Sequence, residues 1–145
     1  MRTILLMMIG VGSLMAGSFS RNANGVVTDS RTNLEWQDDY SDNSNSLKQT
    51  TWQNAIDYCE NLNLDGKSDW RLPNTNELVS LVDDKKYNPS IDAIFQNTNS
   101  SNSWSSTTDV NNVNDAWIVS FDYGHQDYNG TKANSYYVRC VRAGQ

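Results

Sequence analysis

Apolar residues recur along this chain with several different spacings, and each spacing predicts a different element. Val26-Val27-Thr28 and Leu34-Glu35-Trp36 are short runs on either side of the polar stretch 29–33. They predict a hairpin that opens the domain, with Asn33 best suited to a left-handed turn position. Residues 38–49 are a polar stretch rich in Asp, Ser and Asn with almost no apolar content, and predict an exposed loop whose acids serve solvation. Trp52, Ala55, Ile56, Cys59 and Leu62 then fall three or four apart, which predicts a helix from Thr51 to about Asn63, with Thr50 and Gln53 as its capping pair. Trp70-Arg71-Leu72 is extended, as the following Pro73 requires. Asn74 with Glu77 is a second capping signal, and Leu78, Leu81 and Val82 form the apolar side of a second helix. Pro89, Ile91, Ile94 and Phe95 predict a short helical turn. Alternation returns in Trp104-Ser105-Ser106-Thr107, in Trp117, Val119 and Phe121, and in Tyr136, Val138 and Cys140, three strands with a loop at 123–135 between the last two. A hairpin, two helices and then a run of strands describe an α+β domain with the helices packed on a twisted, mainly antiparallel sheet.

The N-terminus belongs to none of these elements. Met1-Arg2-Thr3 carries a positive charge, residues 4–15 form an uncharged apolar run, and Ala16-Gly17-Ser18-Phe19-Ser20 are mostly small, which is the anatomy of a secretory signal over residues 1–20 with cleavage near Ser20-Arg21. A run of about 12 is short of the ~20 residues that span a bilayer, so the mature chain is expected to carry no membrane span. What remains, 21–145, is the size of a single domain. Export to the periplasm, cell surface or medium is an oxidising fate. Cys59 and Cys140 are therefore expected to form a disulfide tying the first helix to the last strand.

Charge narrows the partners. The full chain carries −6, and without Arg2 the balance is 10 basic against 17 acidic residues, or −7. That field repels nucleic-acid phosphates and sulfated sugars. Two Cys and one His do not make a four-ligand zinc site, and any Ser-His-Asp triad would have to use His125.

In order and spacing, several clusters together resemble one family. They are Thr28-Asp29 with Thr32-Asn33-Leu34-Glu35-Trp36; Trp52, Ala55 and Tyr58-Cys59; and Asp69-Trp70-Arg71-Leu72-Pro73 with Glu77-Leu78. Trp104-Ser105-Ser106-Thr107, Ala116-Trp117 with Val119 and Phe121, and residues 137–142 follow. From about Val26 to Arg142 the chain resembles the Lcl C-terminal domain family, the C-terminal domain of a collagen-like adhesin of Legionella. Its fold is similar to C-type lectins and to formylglycine-generating enzymes. The resemblance implies terminal strands joined in one sheet and a helix-to-last-strand disulfide at Cys59 and Cys140. Asn33 stands where the family more usually has Gly, and the collagen-like stalk is missing.

Neither relative's chemistry transfers. Formylglycine generation needs a redox-active cysteine pair, and both cysteines here are assigned to the bridge. The Glu-Pro-Asn, Gln-Pro-Asp and Trp-Asn-Asp motifs of calcium-dependent sugar binding do not occur. No cofactor or metal ligand is therefore assigned, although Asp and Asn oxygens are plentiful enough for a structural calcium ion. The expected role is non-catalytic recognition of an extracellular glycan or surface protein by Asp122, Tyr123, His125, Asp127, Tyr128 and Asn129, a mixture of aromatics, amides and carboxylates. The alternatives are a display protein diversified by a retroelement over 109–137, and a structural envelope component without a ligand. Arg71, Arg139 and Arg142 are expected to pair with carboxylates such as Glu77, and the five Trp to lie in the core.

Overall fold

A computed structural model describes residues 18–144. The signal segment therefore lies outside the described residues, apart from its last three positions. Among the described residues the fold is α+β, with nine strands divided between two sheets and two helices. β1 (Phe19–Arg21), β2 (Val26–Asp29), β3 (Leu34–Gln37) and β9 (Val141–Ala143) form the first sheet in that order, so the two ends of the domain meet in it. β4 (Lys48–Thr50), β8 (Tyr136–Val138), β5 (Asn102–Asp109), β6 (Asn112–Ser120) and β7 (His125–Thr131) form the second. All pairings are antiparallel except β5 with β8.

The opening hairpin forms as its pattern predicts, and Asn33 takes φ 58° in the turn. β1 adds a strand ahead of it and contains the expected signal junction. Phe19 packs edge-on against Phe95, with ring centroids 5.6 Å apart, and Arg21 pairs with Asp38.

Helix α1 (Trp52–Glu60) is shorter than its periodicity, because the Asn61 side chain bonds back to the Asp57 carbonyl at 2.8 Å and ends the last turn. Its N-cap is Thr51 without a side-chain bond. Thr50 is occupied in β4, and its carbonyl accepts from Trp104 Nε1 at 2.8 Å. Helix α2 (Thr75–Val79) has the full capping box: Glu77 N–H donates to Asn74 Oδ1 at 2.8 Å and Asn74 N–H to Glu77 Oε1 at 2.9 Å. Residues 89–95 form turns rather than a helical turn, yet Ile91 and Phe95 are buried.

Strand β6 has a core on each face. Ala116 and Ile118 enter one with Ala55, Cys59, Trp70, Trp104 and Val138; Val119, joined by Phe121 just past the end of the strand, enters the other with Trp36, Leu78, Leu81 and Phe95. Trp36, Trp70 and Trp104 are fully buried, whereas Trp52 and Trp117 are half-buried. The disulfide between Cys59 in α1 and Cys140, just ahead of β9, closes a span of 81 positions.

Three further expectations need correcting. The stretch 38–49 is not all exposed loop: Asp38 and Tyr40 are buried, and 48–50 form β4. Asp38 receives Arg21 Nε at 2.9 Å, Arg139 Nη1 at 3.1 Å, and the backbone N–H groups of Gln96 and Asn97 at 2.8 and 3.1 Å. The single strand expected over 136–141 is broken into β8 and β9, which join different sheets, because Arg139 and Cys140 between them turn to Asp38 and Cys59. Finally, 123–135 is mostly strand. β7 pairs with β6 along 125–131 and is an edge of the second sheet.

Candidate functional site

The six residues singled out as a binding surface lie on the turn into β7 and on β7 itself. The turn is tight: Gly124 N–H donates to the Ser120 carbonyl at 3.1 Å. Gly124 takes φ 76°, and a Cβ there would stand 2.3 Å from Val82 Cγ1, so glycine is required for both conformation and contact. A neighbouring segment buttresses it. Asn88 N–H donates to the Asp122 carbonyl and Ser90 N–H to the Phe121 carbonyl, each at 2.8 Å.

That buttress brings Tyr87 beside Tyr123. The two rings stack, with centroids 6.3 Å apart and planes 16° off parallel, and both residues are about 70% exposed (70% and 71%). Next to them, Asp122 accepts from the Ser120 hydroxyl at 2.7 Å and from the Tyr123 N–H at 2.7 Å, and its carboxylate lies 3.4 Å from His125 Nδ1. The Ser120 hydroxyl bond, followed by the Tyr123 N–H and the nearby imidazole, holds the Asp122 carboxyl below its ordinary pKa. Asp127 and Asn129 lie farther along β7; with the Asn129 amide turned so that its nitrogen faces the carboxylate, it donates to both Asp127 oxygens at 3.0 and 3.2 Å. Tyr128 occupies β7 between them. On the opposite face of the strand, Gln126 Oε1 accepts from Thr75 Oγ1 at 3.3 Å, tying β7 to the start of α2.

The structure thus groups Asp122, Tyr123 and His125, and sets Asp127 and Asn129 two and four residues beyond His125, roughly 7 and 13 Å along the strand. Tyr87 is the member that sequence reasoning missed. Its one signal was a large aromatic between the charged 83–86 cluster and Pro89.

Chemically, Ser120, Asp122 and His125 are the three residue types of a hydrolytic triad in the wrong order. A nucleophile needs its hydroxyl proton aimed at the imidazole, with the carboxylate behind. Here the carboxylate sits in the middle and takes the hydroxyl's hydrogen bond, and its lowered pKa makes it a weak base. Among the described residues, no three His, Cys, Asp or Glu side chains group as metal ligands. No described helix is long and apolar enough to cross a membrane.

The expected arginine pairings are present. Arg71 grips Glu77 with two bonds of 2.7 and 2.8 Å. Arg142 lies between Glu35 and Asp69, and Arg139 is buried between Asp38 and the Phe95 ring, 4.7 Å below its guanidinium. These are structural contacts.

A disulfide-bridged α+β domain with its ends joined in one sheet and a polar, aromatic-tipped edge is the class of protein that these features define. Residues 25–142 match the model of the Lcl C-terminal domain, and the chain belongs to that family. No curated protein matches it.

Proposed function

We propose that the domain is an exported, non-catalytic recognition module that binds a carbohydrate or protein at the exterior of a bacterial cell through the turn 120–125 and the adjoining edge of β7. The observation that carries this reading is the stacked, solvent-facing Tyr87–Tyr123 pair beside Asp122 and His125. Two large aromatics kept out of the core, on a turn fixed by backbone hydrogen bonds, offer contact area that loses little entropy on binding. The Ser120–Asp122–His125 order supports binding over hydrolysis.

The test is an array of glycans and bacterial and host surface proteins, probed with and without calcium by the wild-type protein and by the double variant Tyr87→Ala/Tyr123→Ala. A saturable hit weakened at least about tenfold in the variant supports the reading. An array with no hits, or equal binding by the variant, refutes it. Loss of the hit on chelation would add a calcium ion to the account.

A further inference from the structure

A groove of about 750 Å³ opens at the other edge of the five-stranded sheet, within the ~300–1,000 Å³ common for small-ligand sites. Its floor is β4 and β8, where Gln49 and Tyr137 stand opposite each other in the register and so share a face. Residues 45–47 and 96–101 are its walls. Four strand spacings, roughly 19 Å, separate this edge from β7.

Three features of the groove point the same way. No residue lining it is charged, in a chain that carries −6 overall. Lys48, the nearest basic residue along β4, turns aside and sets its ammonium 5.8 Å from the centre of the Tyr58 ring. Secondly, among the described residues the Tyr137 hydroxyl and the side chains of Asn45, Thr98 and Ser100 have no hydrogen-bond partner in the protein, so they are available to a ligand. Thirdly, the longer wall is already ordered. Asp38 holds the N–H groups of Gln96 and Asn97, the Asn97 amide donates to the Asp38 carbonyl at 2.7 Å, and Arg139 donates to the Asn97 carbonyl. Farther along, Ser101 N–H donates to Asn99 Oδ1 at 2.9 Å, and Phe121 N–H to the Ser101 carbonyl at 3.0 Å. A ligand entering such a site does not have to order the loop first.

We propose that this groove binds a neutral oligosaccharide. The half-buried Tyr137 ring is the platform for the C–H face of a sugar, whose weakly positive hydrogens suit the negative face of the ring. The amides of Gln49 and Asn45 and the hydroxyls of Thr98 and Ser100 exchange water for sugar hydroxyls, one donor or acceptor for another. An ionised ligand finds no counter-charge in the groove to offset its desolvation. The site is independent of the Tyr87–Tyr123 surface, so either can fail without the other.

Saturation-transfer NMR and titration with maltotriose, cellotriose, mannotriose and triacetylchitotriose test this, with a sulfated heparin disaccharide as the charged counterpart. At least one neutral trisaccharide should bind saturably. Tyr137→Ala should weaken it about tenfold or more. Ser100→Arg, at an exposed wall position, fills the groove without touching the core and should do the same. Tyr87→Ala/Tyr123→Ala should leave that binding unchanged. The proposal is overturned if no neutral trisaccharide binds by about 10 mM, if the sulfated sugar is preferred, if Ser100→Arg binds as well as wild type, or if the Tyr87/Tyr123 variant is the one that loses binding.

Discussion

Asp38→Ala should be among the most damaging single substitutions in this domain, although its position lies in a polar run that reads as solvated loop. The Asp38 side chain is fully buried, its Arg139 partner is 5% exposed and its Arg21 partner 20% exposed. Removing the carboxylate leaves the Arg139 guanidinium buried, with only the carbonyls of Gln37 and Asn97 as acceptors, and strips the N–H groups of Gln96 and Asn97 of theirs. Breaking a buried pair from one side costs about 3–5 kcal/mol, against a total of about 5–15 kcal/mol for a domain. For a domain of this size, that lowers Tm by about 10–20 °C. Urea unfolding followed by tryptophan fluorescence reads the change as a lower midpoint at unchanged slope. Adding Arg139→Met removes the stranded charge, so the double variant should be less destabilised than the two single losses summed by at least about 1 kcal/mol. A loss under about 1 kcal/mol for Asp38→Ala, or strict additivity with Arg139→Met, would refute the reasoning.

Other outcomes follow from the same contacts. Replacing Cys59 and Cys140 together by Ser opens a covalent loop of 81 positions and should cost about 4 kcal/mol, read by urea unfolding; a cost under about 1 kcal/mol would contradict the assignment of the bridge as a principal constraint. Arg71, as its principal hydrogen-bond partner, holds the Glu77 carboxyl below its ordinary pKa. Its share of stability is therefore present above about pH 4.3 and lost as pH falls through the lowered folded value. Melting temperatures of wild type and Glu77→Gln should differ at pH 7 and converge in acid, and a gap unchanged at about pH 2 would contradict this. The N-terminus of exported protein should be Phe19, cut after the small Ala16-Gly17-Ser18 triplet, because a cut after Ser20 would remove two residues of β1 and the ring that packs on Phe95. Intact mass decides it, and an equally stable product beginning at Arg21 would contradict it.

What could be read from the sequence was whatever its hydrophobic period or local chemistry encodes. The Val26–Trp36 hairpin, the α1 face through Ala55 and Cys59, and the Asn74–Glu77 box each depend on residues close together in the chain. β7 was invisible for a physical reason. His-Gln-Asp-Tyr-Asn-Gly-Thr has no apolar face, since an edge strand is held by backbone pairing to β6 and turns polar groups outward. Among its described positions Gly130 is the buried one, and a Cβ there would stand 2.5 Å from Ile118 Cγ2. Asp38 was misread because its partner Arg139 lies 101 positions away, and an aspartate awaiting a buried arginine is spelled like one awaiting water. The candidate surface divided similarly. Asp122, Tyr123 and His125 are neighbours in the chain and in space, whereas Tyr87 reaches them only through the pairing of 88–90 with 121–122.

The central claim is that the aromatic turn meets the partner. Binding an array hit to isotope-labelled protein and mapping the backbone amide shifts tests it most directly. The account predicts the largest changes at Tyr87, in 120–125 and along the outer edge of β7, with the α1 face and the first sheet unmoved. A footprint centred on either of those, with 120–125 silent, would contradict it.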